Sequence, residues 1–182
     1  MNKTHITLLL ASIFASTTFI STHVNAVEGL SANAAFTSNY LWRGLEQTNG
    51  SSAASGGIDY NANSGFYAGT WVSNADWADG MTYELDLYAG FSGETKSFSY
   101  DIGFIQYLYP DSTDDVDFNE VYGSISVGAF TFGYATLAGG EGVDFGDDSY
   151  ISVDAEFEVA KDLALALHVA TGTDEFYAGE EF

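Results

Sequence analysis

The sequence predicts an all-β fold, an up-and-down antiparallel transmembrane β-barrel. Three observations predict it. Apolar and polar side chains alternate with a period of two through most of the chain. Long acidic connections and short ones alternate without exception. Aspartates gather at the long connections, while Lys96 and Lys161 lie in short ones. Short turns on one side and long loops on the other are the layout of an outer-membrane barrel.

Composition narrows the class first. The 182 residues carry 26 Asp and Glu against 4 Lys and Arg, for a formal charge of −22. Nothing in such a chain could neutralise phosphates, so nucleic acid is excluded as a partner. With Cys at 0, disulfides, thiolate metal sites and cysteine nucleophiles are excluded together. A hydrophobic fraction of 46% is too high for a solvated acidic tail.

Residues Met1 to Ala26 read as a signal peptide. Lys3 forms a short basic start, Ile6 to Ile20 an apolar stretch, and Val24-Asn25-Ala26 a small-residue cleavage site. Serines and threonines dilute the apolar stretch, and it is too short for a membrane anchor. Export leaves Arg43, Lys96 and Lys161 as the formal cations of a barrel domain over 27–182. His168 is then its one histidine.

Strands are expected in order over roughly 32–172. Those near 32–43, 52–61 and 65–74 are rich in Gly, Ala and Ser and the least decisive. From Tyr83 to Phe91, Tyr83, Leu85, Leu87, Ala89 and Phe91 oppose Glu84, Asp86, Tyr88 and Gly90. From Phe98 to Leu108, Tyr100, Ile102 and Phe104 oppose Ser99, Asp101 and Gly103. From Phe118 to Gly128, Val121, Ile125 and Val127 oppose Glu120, Tyr122, Ser124 and Ser126. Phe130, Phe132 and Tyr134 oppose Thr131, Gly133 and Ala135. From Ser149 to Ala160, Ile151, Val153, Phe157 and Val159 oppose Ser152, Asp154, Glu156 and Glu158. Last, Leu163, Leu165, Leu167 and Val169 oppose Ala164, Ala166, His168 and Ala170. This makes nine strands of roughly ten residues, close to the 9–11 that cross hydrocarbon when tilted. Long connections fall at 43–50, 74–80, 110–117 and 138–148, and short ones at 61–64, 92–96, 128–129 and 160–162.

Alternation does not say which face points inward, because a soluble sandwich has the same period. Strand length, loop asymmetry and aromatics near strand ends (Tyr40, Trp42, Tyr83, Phe91, Phe98, Tyr107, Tyr109) favour apolar-out, with those aromatics as interfacial girdles. The lumen then receives Glu84, Asp86, Asp101, Glu120, Asp154, Glu156 and Glu158, with no Lys or Arg on the same faces. Unpaired carboxylates in a dry interior are too costly to stay ionised. The interior is therefore expected to hold water and mobile cations, the alternative being acids neutralised by raised pKa values. Arg43 is expected to anchor the first long loop to nearby acids.

Enzymatic signals are thin, and no enzyme is expected. His168 sits mid-strand among alanines without a nucleophile elbow. The acidic stretch Asp111 to Asp117 lacks the glycine and the final glutamate of an EF-hand loop, so weak divalent binding is its only metal reading. No cofactor is expected. Outer-membrane lipid and small solutes or cations are the expected partners.

Thr37-Ser38-Asn39-Tyr40-Leu41-Trp42-Arg43-Gly44, followed by Glu46-Gln47-Thr48, resembles the TorF-type porins of the Gcw_chp family. The likeness continues through Gly57-Ile58-Asp59-Tyr60, Ser64 to Trp71, Glu84 to Gly90, Tyr100 to Gly103 and Asp117 to Tyr122. It implies an outer-membrane porin of a Gram-negative bacterium and brings no catalytic residues. The sequence departs from the family's closing strand, with Glu180 where an apolar residue is expected. A single-chain barrel also needs an even strand count. Either the count of nine is off by one, or the sequence is a truncated product; truncation is the expectation. The rival reading is a soluble periplasmic or secreted acidic β-protein that binds a ligand or divalent cations.

Overall fold

The computed structural model describes residues 27–161 and 163–172. The signal-peptide reading of 1–26 and the tail 174–182 lie outside those residues.

Among the described residues eleven strands follow one another: β1 (Leu30–Thr37), β2 (Leu41–Trp42), β3 (Leu45–Glu46), β4 (Ala53–Asn61), β5 (Phe66–Asn74), β6 (Tyr83–Glu94), β7 (Ser99–Leu108), β8 (Phe118–Val127), β9 (Phe130–Gly140), β10 (Ser149–Ala160) and β11 (Leu163–Gly172). Nine form one sheet in the order β1-β4-β5-β6-β7-β8-β9-β10-β11, and β2 pairs with β3 as a separate hairpin. Every neighbour in the large sheet is antiparallel, as up-and-down topology requires. The expected nine strands are thus present, and the alternation of long and short connections holds throughout.

One expectation is corrected. The first strand ends at Thr37 rather than near 43, because Asn39 to Ser51 folds back on itself. Among the described residues β1 and β11 lie at the two ends of the sheet and do not pair with each other, so no closed barrel forms there, in keeping with the odd strand count.

The sheet is strongly curled nevertheless. Arg43, six residues beyond the end of β1, lies 4.5 Å from the ring of Tyr150 on β10, seven strand spacings away in the sheet order and about 33 Å across a flat sheet. Curling separates a convex from a concave face, and the alternation sorts onto them. Phe36, Ile58, Leu87, Phe91, Ile102, Phe104, Ile125, Phe132 and Ile151 are exposed on the convex face. Glu84, Asp86, Tyr107, Phe118, Glu120 and Leu137 are buried on the concave one. Large aliphatic and aromatic side chains are therefore exposed on the convex face, while the acids share the concave face with a buried apolar cluster.

Candidate functional site

The concave face is best described by its cross-strand rows. One runs Tyr67–Gly90–Gly103–Tyr122–Ala135–Tyr150 from β5 to β10. The tyrosine rings lie flat over the two glycines, and a Cβ at Gly103 would stand 2.4 Å from the Tyr122 Oη and 2.7 Å from the Tyr67 Oη. Only a residue with no side chain admits rings at that depth. Tyr67 also donates to Asp101 Oδ1 at 2.7 Å, and on the neighbouring row Tyr88 donates to Asp59.

This row divides the concave face in two. Towards the short turns the inward residues are small and polar (Ser92, Ser124, Gly133, Ser126, Thr131), and the acids stay accessible. Asp101 is half-buried beside Tyr67, and Asp154 accepts from His168 Nδ1 at 2.6 Å while Tyr150 Oη lies 3.1 Å from Nε2. Glu156 and Glu158 are exposed. Towards the long connections the space is filled. Ala75, Met81, Tyr107, Tyr109, Phe118 and Leu137 form a buried cluster, with Trp42 and Tyr150 packed against it.

That cluster corrects the girdle expectation. Tyr40, Tyr107 and Tyr109 are only 3%, 6% and 6% exposed. Their positions at strand ends placed them equally well under the long loops, where apolar rings can pack and bury their hydroxyls in hydrogen bonds. Phe91 and Phe98 do face outward.

The filling is completed by the β2–β3 hairpin. Trp42 pairs with Leu45, and the two turn residues between them, Arg43 at φ 51° and Gly44 at φ 90°, both take left-handed conformations. This is a type I′ turn, whose twist suits a two-residue hairpin. A second such turn follows at Asn49 and Gly50, closed by Ser51 N–H to the Thr48 carbonyl at 2.8 Å. Between the turns, Thr48 Oγ1 accepts from the Tyr40 N–H at 3.2 Å and donates to the Ser51 carbonyl at 2.6 Å. Asn39 Nδ2 reaches Glu46 Oε1 at 2.9 Å, and Gln47 N–H bonds the Tyr40 carbonyl at 2.8 Å. The segment from Thr37 to Thr48, which carries the most distinctive sequence block, is thus a folded insert seated on the concave face.

Arg43 is the tip of that insert. Its Nη1 and Nη2 bond Glu120 Oε1 and Oε2 at 2.7 and 2.9 Å. Its guanidinium lies 4.4 Å from the Trp42 ring and 4.5 Å from the Tyr150 ring. A left-handed arginine costs on the order of 1 kcal/mol, which a bidentate, ring-flanked ion pair offsets. Arg43 was expected to anchor the first long loop to nearby acids, and it does so on Glu120; the inward strand faces themselves carry no Lys or Arg, so this base reaches the interior from a loop.

The remaining acids meet behind the hairpin. Tyr40 Oη donates to Glu84 Oε1 at 2.8 Å. Burial, then the nearby Glu84 and Asp86 carboxylates, pushes the Tyr40 hydroxyl well above its ordinary pKa, and Tyr109 is raised by the same causes. Glu84, Asp86 and Glu120 are 1%, 7% and 1% exposed, so they do not line an open lumen as expected. The hairpin and the Tyr107–Phe118 stack cover them. The predicted lumen set therefore splits into three acids buried beneath the insert and four (Asp101, Asp154, Glu156, Glu158) on the accessible half. Reasoning from strand periods missed Arg43, Tyr40 and Trp42 as interior groups. The signal available was the pair of left-handed turn dipeptides, Arg43-Gly44 and Asn49-Gly50, which mark a folded segment and not a slack loop.

The family description "bacterial protein of unknown function (Gcw_chp)" matches residues 23–181. No curated protein matches, and no solved structure does.

Proposed function

The chain belongs to the Gcw_chp family of bacterial proteins, and from that premise we propose that it is a passive, cation-preferring diffusion channel of the outer membrane, similar to TorF-type porins. The observation that carries this reading is the orientation of the nine strands, with Phe, Ile, Leu and Val exposed on the convex face and acids on the concave one. A convex face of that composition is unfavourable in water and suits hydrocarbon. Asp101, Asp154, Glu156 and Glu158 on the accessible half attract cations and repel anions without any chemistry. The β2–β3 insert supplies the constriction at the long-connection end, and export by a signal peptide over Met1 to Ala26 supplies the route. Lipid contacts the convex face, and small solutes or cations pass along the concave one.

Fractionation and planar-bilayer recording test this together. The protein should stay with outer membranes and give cation-selective steps, and D101N/E156Q/E158Q should lower that selectivity. Recovery in the soluble periplasmic fraction would instead favour an acidic β-protein that binds ligands in solution. Membrane recovery without conductance would favour a purely structural role.

A further inference from the structure

At the long-connection end the loops enclose a cleft of about 190 Å³. Trp77, Phe118 and Val143 give it apolar walls, and Asp115, Asp117 and Glu141 give it carboxylates. No Lys, Arg or His is among its lining residues. Trp77 is the exposed ring of this lining, at 38%, yet the loop that carries it is pinned on both sides. The Asp76 N–H bonds the Gln47 carbonyl at 2.8 Å, and Asn49 Nδ2 bonds the Asp76 carbonyl at 3.0 Å, which ties the loop to the insert. The Thr113 N–H bonds the Asp79 carbonyl at 2.8 Å, which ties it to the next long connection. The indole itself meets the Tyr109 ring edge-to-face, with centroids 5.1 Å apart. On the acid side, the Tyr109 N–H donates to Asp117 Oδ1 at 2.7 Å, and a bridge between Gly140 and Val143 holds the turn that carries Glu141. An open indole facing acids from a fixed loop is a pre-organised surface, and pre-organisation lowers the ordering cost of binding.

We propose that this cleft binds a small quaternary ammonium group, with Trp77 as the ring it contacts and Asp115, Asp117 and Glu141 as the source of the attracting field. The lining discriminates among ligand classes. Anions are repelled. A neutral apolar solute uses the indole and leaves the acids idle, while a hydrated metal ion uses the acids and leaves the indole idle. A quaternary ammonium uses both, because its charge is carried by methyl groups that pack on a ring face. Asp115 and Glu141 are exposed and stay solvated, so the ligand is not required to neutralise a buried charge. The volume suits a head group, being below the roughly 300–1,000 Å³ that holds drug-sized ligands. A neighbouring cleft of about 200 Å³ shares Trp77 and Phe118 but has Glu46 as its one acid, so the field is weaker there. The site does not depend on the channel reading.

The test uses the full chain refolded in octyl glucoside micelles, a detergent without an ammonium group, and radiolabelled choline in equilibrium dialysis at pH 7.5 and constant ionic strength. Choline should bind saturably, and its neutral isostere 3,3-dimethylbutan-1-ol should compete about tenfold more weakly. W77L should raise the dissociation constant about tenfold, and D115N/E141Q about threefold. E46Q should leave it unchanged. Absence of saturable choline binding overturns the proposal and leaves Trp77 as an interfacial anchor. Competition by the isostere equal to that of choline overturns it in favour of a neutral apolar solute. Displacement by potassium as effective as by unlabelled choline overturns it in favour of an unselective acidic patch. A loss in E46Q with none in D115N/E141Q overturns it in favour of the neighbouring cleft. Asp115 and Glu141 are exposed loop residues, so their double variant decides the matter even if W77L fails to fold.

Discussion

Arg43 and Glu120, 77 positions apart, meet in a bidentate ion pair of 2.7 and 2.9 Å whose side chains are 11% and 1% exposed. It fastens the tip of a surface-derived hairpin to the middle of the sheet. Removing one partner of such a pair leaves the other charged and buried. R43A should therefore destabilise by about 3–5 kcal/mol. R43K keeps the charge without the fork and should fall between. Replacing both partners with R43M/E120L should recover most of the loss. Denaturant unfolding in micelles reads the series; an R43A protein as stable as the parent would remove the pair from the account.

If the hairpin is the constriction, exchanging Leu41 to Glu46 for a flexible Gly-Ser segment should raise single-channel conductance severalfold while selectivity persists. Planar-bilayer recording decides, and unchanged conductance would locate the constriction elsewhere.

The tyrosine rings over glycine make a sharper packing prediction. G103A would force a methyl to within 2.4 Å of the Tyr122 hydroxyl, at a cost of about 1–3 kcal/mol. G123A meets only the Asp101 carbonyl, at 3.3 Å, and should cost much less. Comparable losses in the two variants would argue that the rings give way easily.

Acid should loosen the long loops. The Thr82 hydroxyl and N–H donate to Asp111 and hold its carboxyl below the ordinary value. A depressed folded-state pKa contributes stability above the unfolded value of about 3.9. That contribution disappears as pH falls through the folded value. Pepsin nicking near Thr82 and Asp111 should rise over that acidic interval, and D111N should abolish the added pH dependence. A parallel rise in D111N would assign the effect to other acids.

Much of the architecture is legible along the chain. Leu85, Leu87 and Phe91 against Glu84, Asp86 and Tyr88 identify β6 and its two faces, because side-chain direction in a strand is a local property. Connection lengths are equally local, so the up-and-down order follows from them. The glycine positions were visible too, but their purpose was not. That Gly90 and Gly103 lie under Tyr67 and Tyr122 depends on register, which a single strand does not encode.

By itself, then, the sequence determined that the chain is a run of alternating strands, that long and short connections take turns, and that acids share a face opposite the aliphatic residues. Only the tertiary structure decided what those acids meet. The curl of the sheet and the inward-folded insert carry Arg43 onto Glu120, so that Glu84 and Asp86 are buried while Glu156 and Glu158 remain wet. The physical reason is that burial and charge pairing are sums over neighbours distant along the chain, whereas polarity alternation repeats from one residue to the next.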